Sequence, residues 1–329
     1  MPLRCPPRAL AAAAVLLLLA AAVPVPPAAA VACPTPSHVW FLGVVYDPDQ
    51  REDFKKDVDN IEFYLAMLRT TYCIPDSQAK VFAFENNFQR NGKTYADGSE
   101  ANVKATIASF GAQASQFGDS LLFFFLSSHG FVYVGSFNCP SRPLGSFAQL
   151  KAGAGQDGFL DDCELGQVLN ANVAASTRIV ALVDCSLCGG FSDSLTAVSG
   201  TVPDNALPQS SGIPRANRIV MTGCSMTTEC FGGDCGGVSF CHLRRVIEQQ
   251  GPEGCDGWTV PGFPTLQGAD APVRQGLLNP RDNRCTMSEW FFAAVWDAYG
   301  FLDVTGIQQQ FRMKYGFASL GQDVLISDS

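Results

Sequence analysis

Two uninterrupted apolar runs limit the folds open to this chain more than any other feature. Residues 120–126 read Ser-Leu-Leu-Phe-Phe-Phe-Leu, and residues 177–183 read Thr-Arg-Ile-Val-Ala-Leu-Val. A strand with one face in water alternates apolar and polar side chains, whereas a strand that is apolar throughout has both faces covered. Residues 38–46 (HVWFLGVVY) form a third such run, and 80–85 and 218–222 read as shorter ones. Between them lie helical patterns. Phe54, Val58, Ile61, Leu65 and Leu68 recur at spacings of three and four, which makes one face of a helix. Val103, Ile107, Phe110 and Ala114 do the same behind Ser99, a good N-cap. Leu165, Val168 and Leu169 follow a helix start at Asp161 or Asp162. Further helices are expected at 238–248 and at 290–299, the second behind a capping box of Thr286 and Glu289. A last short strand is expected at 324–326. Buried strands alternating with amphipathic helices predict an α/β fold: a three-layer αβα sandwich around a mostly parallel sheet. Residues 131–135 are expected to return as a hairpin strand, and 88–98, 140–158 and 196–215 read as loops.

The amino-terminal stretch has a different character. Arg4 and Arg8 precede an uncharged apolar run at 9–23, then Pro-Val-Pro-Pro and small residues to Ala32. That is the layout of a signal peptide over 1–32, with an apolar centre too short to span a bilayer. A lipid anchor on Cys33 is a weaker reading of the same segment. Residues 33–250 are then expected to form the core of one domain. Residues 251–329 would be a cysteine-stapled excursion and a helix completing it. Beyond residue 32 there are 20 Lys and Arg against 31 Asp and Glu, a charge of −11. With no basic cluster, nucleic acid and anionic membrane surfaces are poor partners. Of 13 cysteines, 12 lie beyond residue 32. An even number in an exported protein favours disulfides. Cys224, Cys230, Cys235, Cys241 and His242 are clustered, but their spacing does not match a zinc finger or knuckle. No metal or other cofactor is expected, and a secreted or secretory-pathway location is.

In open α/β sheets, function gathers beyond the carboxyl ends of the strands. Two segments there carry unusual chemistry. The first is His129-Gly130, directly after the most apolar strand. A histidine there can act as a base, and a glycine beside it lets a substrate carbonyl approach the backbone N–H. The second is Asp184-Cys-Ser-Leu-Cys-Gly-Gly190. Alternation along the strand puts Asp184 and Ser186 on one face and turns Cys185 towards the core.

An apolar strand ending in His-Gly, followed some fifty residues later by an apolar strand, an acid, a small residue, a nucleophile and glycines, resembles the caspase–metacaspase–legumain group of cysteine peptidases. Residues 118–130 are similar to that group's strand leading to the catalytic histidine, and 157–165 to the acidic helix start between the two blocks. Residues 218–229 resemble a strand shaping the substrate cleft. Residues 236–240 and 282–294 resemble later segments, so the resemblance runs from about His38 to Ala294. It implies a caspase-hemoglobinase-like fold and peptide-bond hydrolysis on a peptide or protein substrate by a Cys–His dyad. The histidine falls on His129. Asp184 takes the place of an acid that, in metacaspases, helps receive a basic P1 side chain. A legumain-like site would take asparagine there instead. Ser225 and Glu229 fall where cleft residues lie. The nucleophile position is held by Ser186, not cysteine, with Leu187 and Cys188 following.

An alcohol is a far weaker acid than a thiol, and serine enzymes use a third, carboxylate-bearing residue to orient the histidine, which a Cys–His dyad lacks. Three readings stay open. Ser186, or Cys188 after a change of register in the turn, attacks with His129 as base and Gly130 at the oxyanion. Alternatively the chain is a pseudopeptidase that binds peptides or protein partners without cutting. Least favoured, Cys185-Ser-Leu-Cys188 is a C-x-x-C for thiol–disulfide exchange. His38, at a strand start, reads as structural, His242 as part of a solvated helix face, and the 196–215 loop as a candidate processing site.

Overall fold

The computed structural model describes residues 37–329 except 86, 135–139, 141–143, 154, 193–210, 214, 216, 225–229, 231, 234–235, 238–239, 242, 245–247, 249–303, 308–309, 315–322 and 329. The segment at 1–32, the excursion at 251–284, the helix at 290–299 and most of the 196–215 loop lie outside the described residues, as do Ser225, Glu229 and His242.

The first strand, β1 (Val39–Tyr46), lies between β2 (Ala79–Ala83) and β5 (Leu121–Ser128), parallel to both. β5 is followed across the sheet by β9 (Arg178–Asp184) and β10 (Arg218–Thr222), again parallel. The sheet then continues antiparallel through β15 (Asp323–Asp328), β14 (Gln310–Lys314) and β13 (Val304–Ile307). The order is therefore β13-β14-β15-β10-β9-β5-β1-β2, a mainly parallel sheet with an antiparallel edge.

Both faces of the parallel part are covered, which explains the uninterrupted apolar runs. Trp40, Leu42 and Val44 of β1 and Leu122, Phe124 and Leu126 of β5 share a core with α2 (Glu100–Ala114) and α3 (Asp162–Asn172). The opposite face meets α1 (Glu52–Tyr72). There Gly43 makes room: a Cβ on it would come within 2.4 Å of Ile61 of α1. Phe123, Phe124 and Phe125 are all buried, each contributing about 2–3 kcal/mol through removal from water. Ser99 caps α2 by accepting from Asn102 N, and Asp161 caps α3 by accepting from Cys163 N and Glu164 N.

Two expected loops hold strands instead. Residues 88–98 contain a hairpin of β3 (Phe88–Arg90) and β4 (Lys93–Tyr95), joined by Asn91 and Gly92. Both turn residues have positive φ, +50° and +75°, as a two-residue hairpin turn requires, and Asn-Gly is the pair best able to adopt it. Residues 140–158 contain β7 (Leu144–Gln149), which pairs with β6 (Gly130–Val134) on one side and β8 (Phe159–Asp161) on the other. Glycines at 145, 153, 155 and 158 surround a short apolar stretch whose pairing is non-local, so no local pattern marks it as a strand.

Candidate active site

The parallel register lines up three strand ends. Val45 of β1, Ser127 of β5 and Asp184 of β9 share one rung, and Tyr46 pairs with Ser128 on the next. One residue further on, the chain places Asp47, His129 and Ser186 after adjacent strands, at a strand spacing of about 4.8 Å. Strand alternation turns this outer row to the same face as Ser127 and Asp184, the face on which α1 packs. Tyr46 and Cys185 point the other way, into the core. The chain turns from β1 first to β2 on one side and then to β5 on the other, so the row sits where the strand order reverses.

His129 and Ser186 line one cleft with Arg51, Phe54, Asp57 and Asp184. Its volume is about 60 Å³, room for the tip of a side chain and far below the roughly 300 Å³ at which small-molecule pockets begin. The His129 ring lies 5.0 Å from that of Phe54 and its Nε2 is 3.0 Å from Asp47 Oδ1. Asp47 is fully buried and accepts from the backbone N–H of Arg51 at 2.6 Å and of Asp49 at 3.3 Å. Burial works to raise its pKa. The Arg51 N–H, His129, the Asp49 N–H and the Arg51 charge outweigh burial and hold the carboxyl below the ordinary range. Asp47 escaped the sequence reading because its role depends on which strand neighbours β1. The available signal was an acid directly after a buried strand, at the same sheet end as His129.

Ser186 does not hydrogen-bond to His129. Its Oγ accepts from Cys230 N at 3.0 Å, and its hydroxyl reaches Cys230 O only at 3.5 Å, beyond the usual O–H···O range. The next residue, Leu187, has φ +59°, a left-handed conformation costly for a branched side chain and seen at functional turns. The turn is secured from outside: Ser146 Oγ donates to Leu187 O at 2.7 Å and accepts from Gly190 N at 2.9 Å, while Asp162 accepts from Ser146 N. Gly130 lies against the same turn. A Cβ on it would fall 2.0 Å from Ser186 O, so glycine is required for β6 to pass.

Cys185 and Cys188 are reduced and buried. Cys188 Sγ is hydrogen-bonded to the carbonyls of Cys185 and Val183, and burial raises the Cys185 thiol well above its ordinary pKa, with Cys188 adding to the effect. A thiol in that setting is inert. In this conformation Cys188 therefore faces the core and not the cleft, while Ser186 faces the cleft.

Below His129 and Ser186 lie two acids. Asp184 and Asp57 are 4% and 2% exposed. Asp57 comes from α1 and accepts from Ser127 Oγ at 2.7 Å, Gly237 N at 2.9 Å and Asn60 Nδ2 at 3.3 Å. A Cβ on Gly237 would meet Asp184 Oδ2 at 2.6 Å and Asp57 Oδ2 at 3.2 Å, so both carboxylates pack on one glycine backbone. Burial, and then the negative charge of Asp184, push the Asp57 pKa up to about 8. Asp57 was not singled out from sequence, although an acid among Phe54, Val58 and Ile61 on the buried helix stripe is an anomaly that could have marked it.

The other sequence candidates fall elsewhere. His38 pairs with Asp119 at 2.6 Å and stacks on Phe117, a structural role. Cys224 and Cys230 are joined as a disulfide and Cys241 is disulfide-bonded, so these sulfurs are not zinc ligands. Asp161, Asp162 and Cys163 present donor atoms within 4.8 Å of one another. Their carboxylates, however, accept backbone N–H groups of Cys163, Glu164 and Ser146, and Cys163 is disulfide-bonded. They serve the α3 cap rather than a metal.

No family model matches the chain, and no curated protein matches it by sequence. Among solved structures, caspase-1 from Spodoptera frugiperda is 9% identical, with a TM-score of 0.43, covering 89% of this chain and 86% of the other. A Geobacter sulfurreducens protein is 16% identical, with a TM-score of 0.39, covering 64% and 82%. The Drosophila initiator caspase Dronc is 12% identical, with a TM-score of 0.31, covering 64% and 63%. These are likenesses of fold, and the chemistry has to come from the residues.

Proposed function

We propose that this chain binds an extended peptide by a basic side chain and hydrolyses the bond after it, with Ser186 as nucleophile and His129 as base. The observation that carries the reading is the buried Asp57–Asp184 pair at the floor of the cleft that His129 and Ser186 line. Asp57, pushed up to about 8 by burial and by Asp184, holds a proton at neutral pH that a cation entering the cleft would displace. Arginine or lysine at P1 supplies that charge, and asparagine, the legumain-like choice, brings no charge to set against Asp184. Cys188 is set aside as nucleophile because of its burial. Ser225 and Glu229 stay as candidate cleft residues on the strength of the resemblance alone. The disulfides support an oxidising, exported setting.

A second reading has its own observation. Ser186 Oγ is engaged by Cys230 and not by His129, as expected of a peptide-binding pseudopeptidase. Fluorogenic peptides with Arg, Lys, Asn or Asp at P1 separate the two. Hydrolysis is expected with Arg and Lys and is lost in Ser186→Ala. Binding of Arg or Lys peptides without turnover points to the pseudopeptidase. Equal indifference to all four peptides overturns the basic pocket.

A further inference from the structure

A serine in place of a thiol leaves a chemical shortfall. The hydroxyl is deprotonated only if the base is held in the right tautomer and its cationic form is stabilised. We infer that Asp47 makes up this shortfall as a positioning residue, fixing His129 with Nε2–H towards β1 and the Nδ1 lone pair towards Ser186. This rests on the hydrolytic reading of the cleft.

Two groups contend for Nε2, an acceptor on Asp47 and a donor on Arg51, and charge decides between them. An ionised carboxylate offers only lone pairs, so the 3.0 Å contact between Asp47 Oδ1 and Nε2 is an N–H donated by the imidazole. Arg51 Nη2, 3.2 Å from the same nitrogen, cannot also donate to it. With Arg51 Nε 3.4 Å from Asp47 Oδ2, its guanidinium instead supports the carboxylate. Nδ1 makes no hydrogen bond to any described residue and is the nitrogen left for proton transfer. The parallel register supplies the order: Asp47, His129 and Ser186 follow three adjacent strands, with the histidine in the middle. Asp47 is fully buried, so its charge acts on the imidazole with little screening.

The reaction balances within these groups and water. Ser186 Oγ leaves Cys230 and passes its proton to Nδ1 as the oxygen forms a bond to the scissile carbonyl carbon. The imidazolium, stabilised by Asp47, gives that proton to the leaving amine as the C–N bond breaks. Water then attacks the acyl-serine, His129 takes its proton and returns it to Ser186, and the acid product departs.

Asp47→Asn is the informative change. With its amide oxygen in the place of Oδ2, the new side chain still accepts from Arg51 N, the shorter of the two backbone contacts. Its NH2 then takes the place of Oδ1 and donates to Nε2, forcing the proton onto Nδ1 and removing the base. The expected result is a kcat on the order of 10³-fold lower or more, with KM for an Arg peptide within about twofold. Nitrogen NMR of the labelled histidine at high pH is expected to show Nε2–H in the wild type and Nδ1–H in the variant. A wild type that turns over while Asp47→Asn keeps its kcat within about threefold overturns the inference and leaves the peptidase reading standing. A wild type that hydrolyses nothing defeats the peptidase reading, and the NMR then decides the inference: an Nδ1–H tautomer in the wild type overturns it. Should Asp47→Asn not fold, the wild-type tautomer alone decides.

Discussion

The buried acid pair makes a prediction about stability that needs no substrate. Asp57 is 2% exposed, and its pKa is raised from 3.8 to about 8 in the folded protein. An acid whose folded pKa lies above its unfolded one favours the folded state fully below the unfolded value, and that contribution is lost as pH rises through the folded one. Between about pH 4 and pH 8 the folded chain holds a proton that the unfolded chain has released. Each pH unit then costs about 1.4 kcal/mol, which reaches on the order of 4 kcal/mol by pH 7. Asp57→Asn imitates the protonated acid: its oxygen can accept from Gly237 N, and its NH2 can donate to Ser127 Oγ, the partners Asp57 has now. The variant has no proton to lose. Guanidinium unfolding of both proteins at pH 5, 6, 7 and 8, with disulfides intact, should show the variant gaining on the wild type by about 1.4 kcal/mol per unit up to pH 7 and by less on the step to pH 8, where Asp57 itself begins to ionise. A difference that stays flat from pH 5 to pH 8 would refute the reasoning, since Asp57 would then ionise like any surface carboxylate.

Other changes test the walls of the cleft. Gly130→Ala puts a methyl 2.0 Å from Ser186 O, so the turn must move; a cost of about 1–3 kcal/mol and a large fall in turnover are expected by thermal denaturation and peptide assay. Iodoacetamide on the native protein should leave Cys185 and Cys188 unmodified, and alkylation of either before unfolding, read by peptide mass, would contradict their burial. Binding of an Arg peptide should release close to one proton per site at pH 6–7, as the cation lets Asp57 ionise; calorimetry in buffers of different ionisation heat measures it, and no uptake or release would separate the peptide from Asp57.

Much of this architecture is legible in the sequence because burial on both faces leaves a strong local signature. The runs before His129 and Asp184 are strands β5 and β9, and the periodic segments behind Ser99 and Asp161 are α2 and α3. Alternation alone places Cys185 in the core and Asp184 and Ser186 on the opposite side, where the cleft forms. Most of what escaped was non-local. Strand β7 owes its structure to its partners β6 and β8 rather than to composition, whereas the β3–β4 hairpin is local and its Asn91-Gly92 turn was the available signal. Asp47 and Asp57 matter only through neighbours 82 and 70 residues away along the chain, His129 and Ser127. No periodicity reveals that β1 lies beside β5, and without that fact Asp47 is one more acid at the start of a loop.

The measurement that tests the central claim most directly is covalent labelling of the purified protein with a peptidyl phosphonate bearing lysine at P1, followed by peptide mapping. A serine activated in an acidic cleft should be modified at Ser186, slowly enough for free arginine ester to compete, and the matching phosphonate with aspartate at P1 should leave it untouched. Labelling should vanish in His129→Ala and weaken in Asp184→Asn. No adduct on Ser186 with any probe, or equal modification by the lysine and aspartate compounds, would contradict the account.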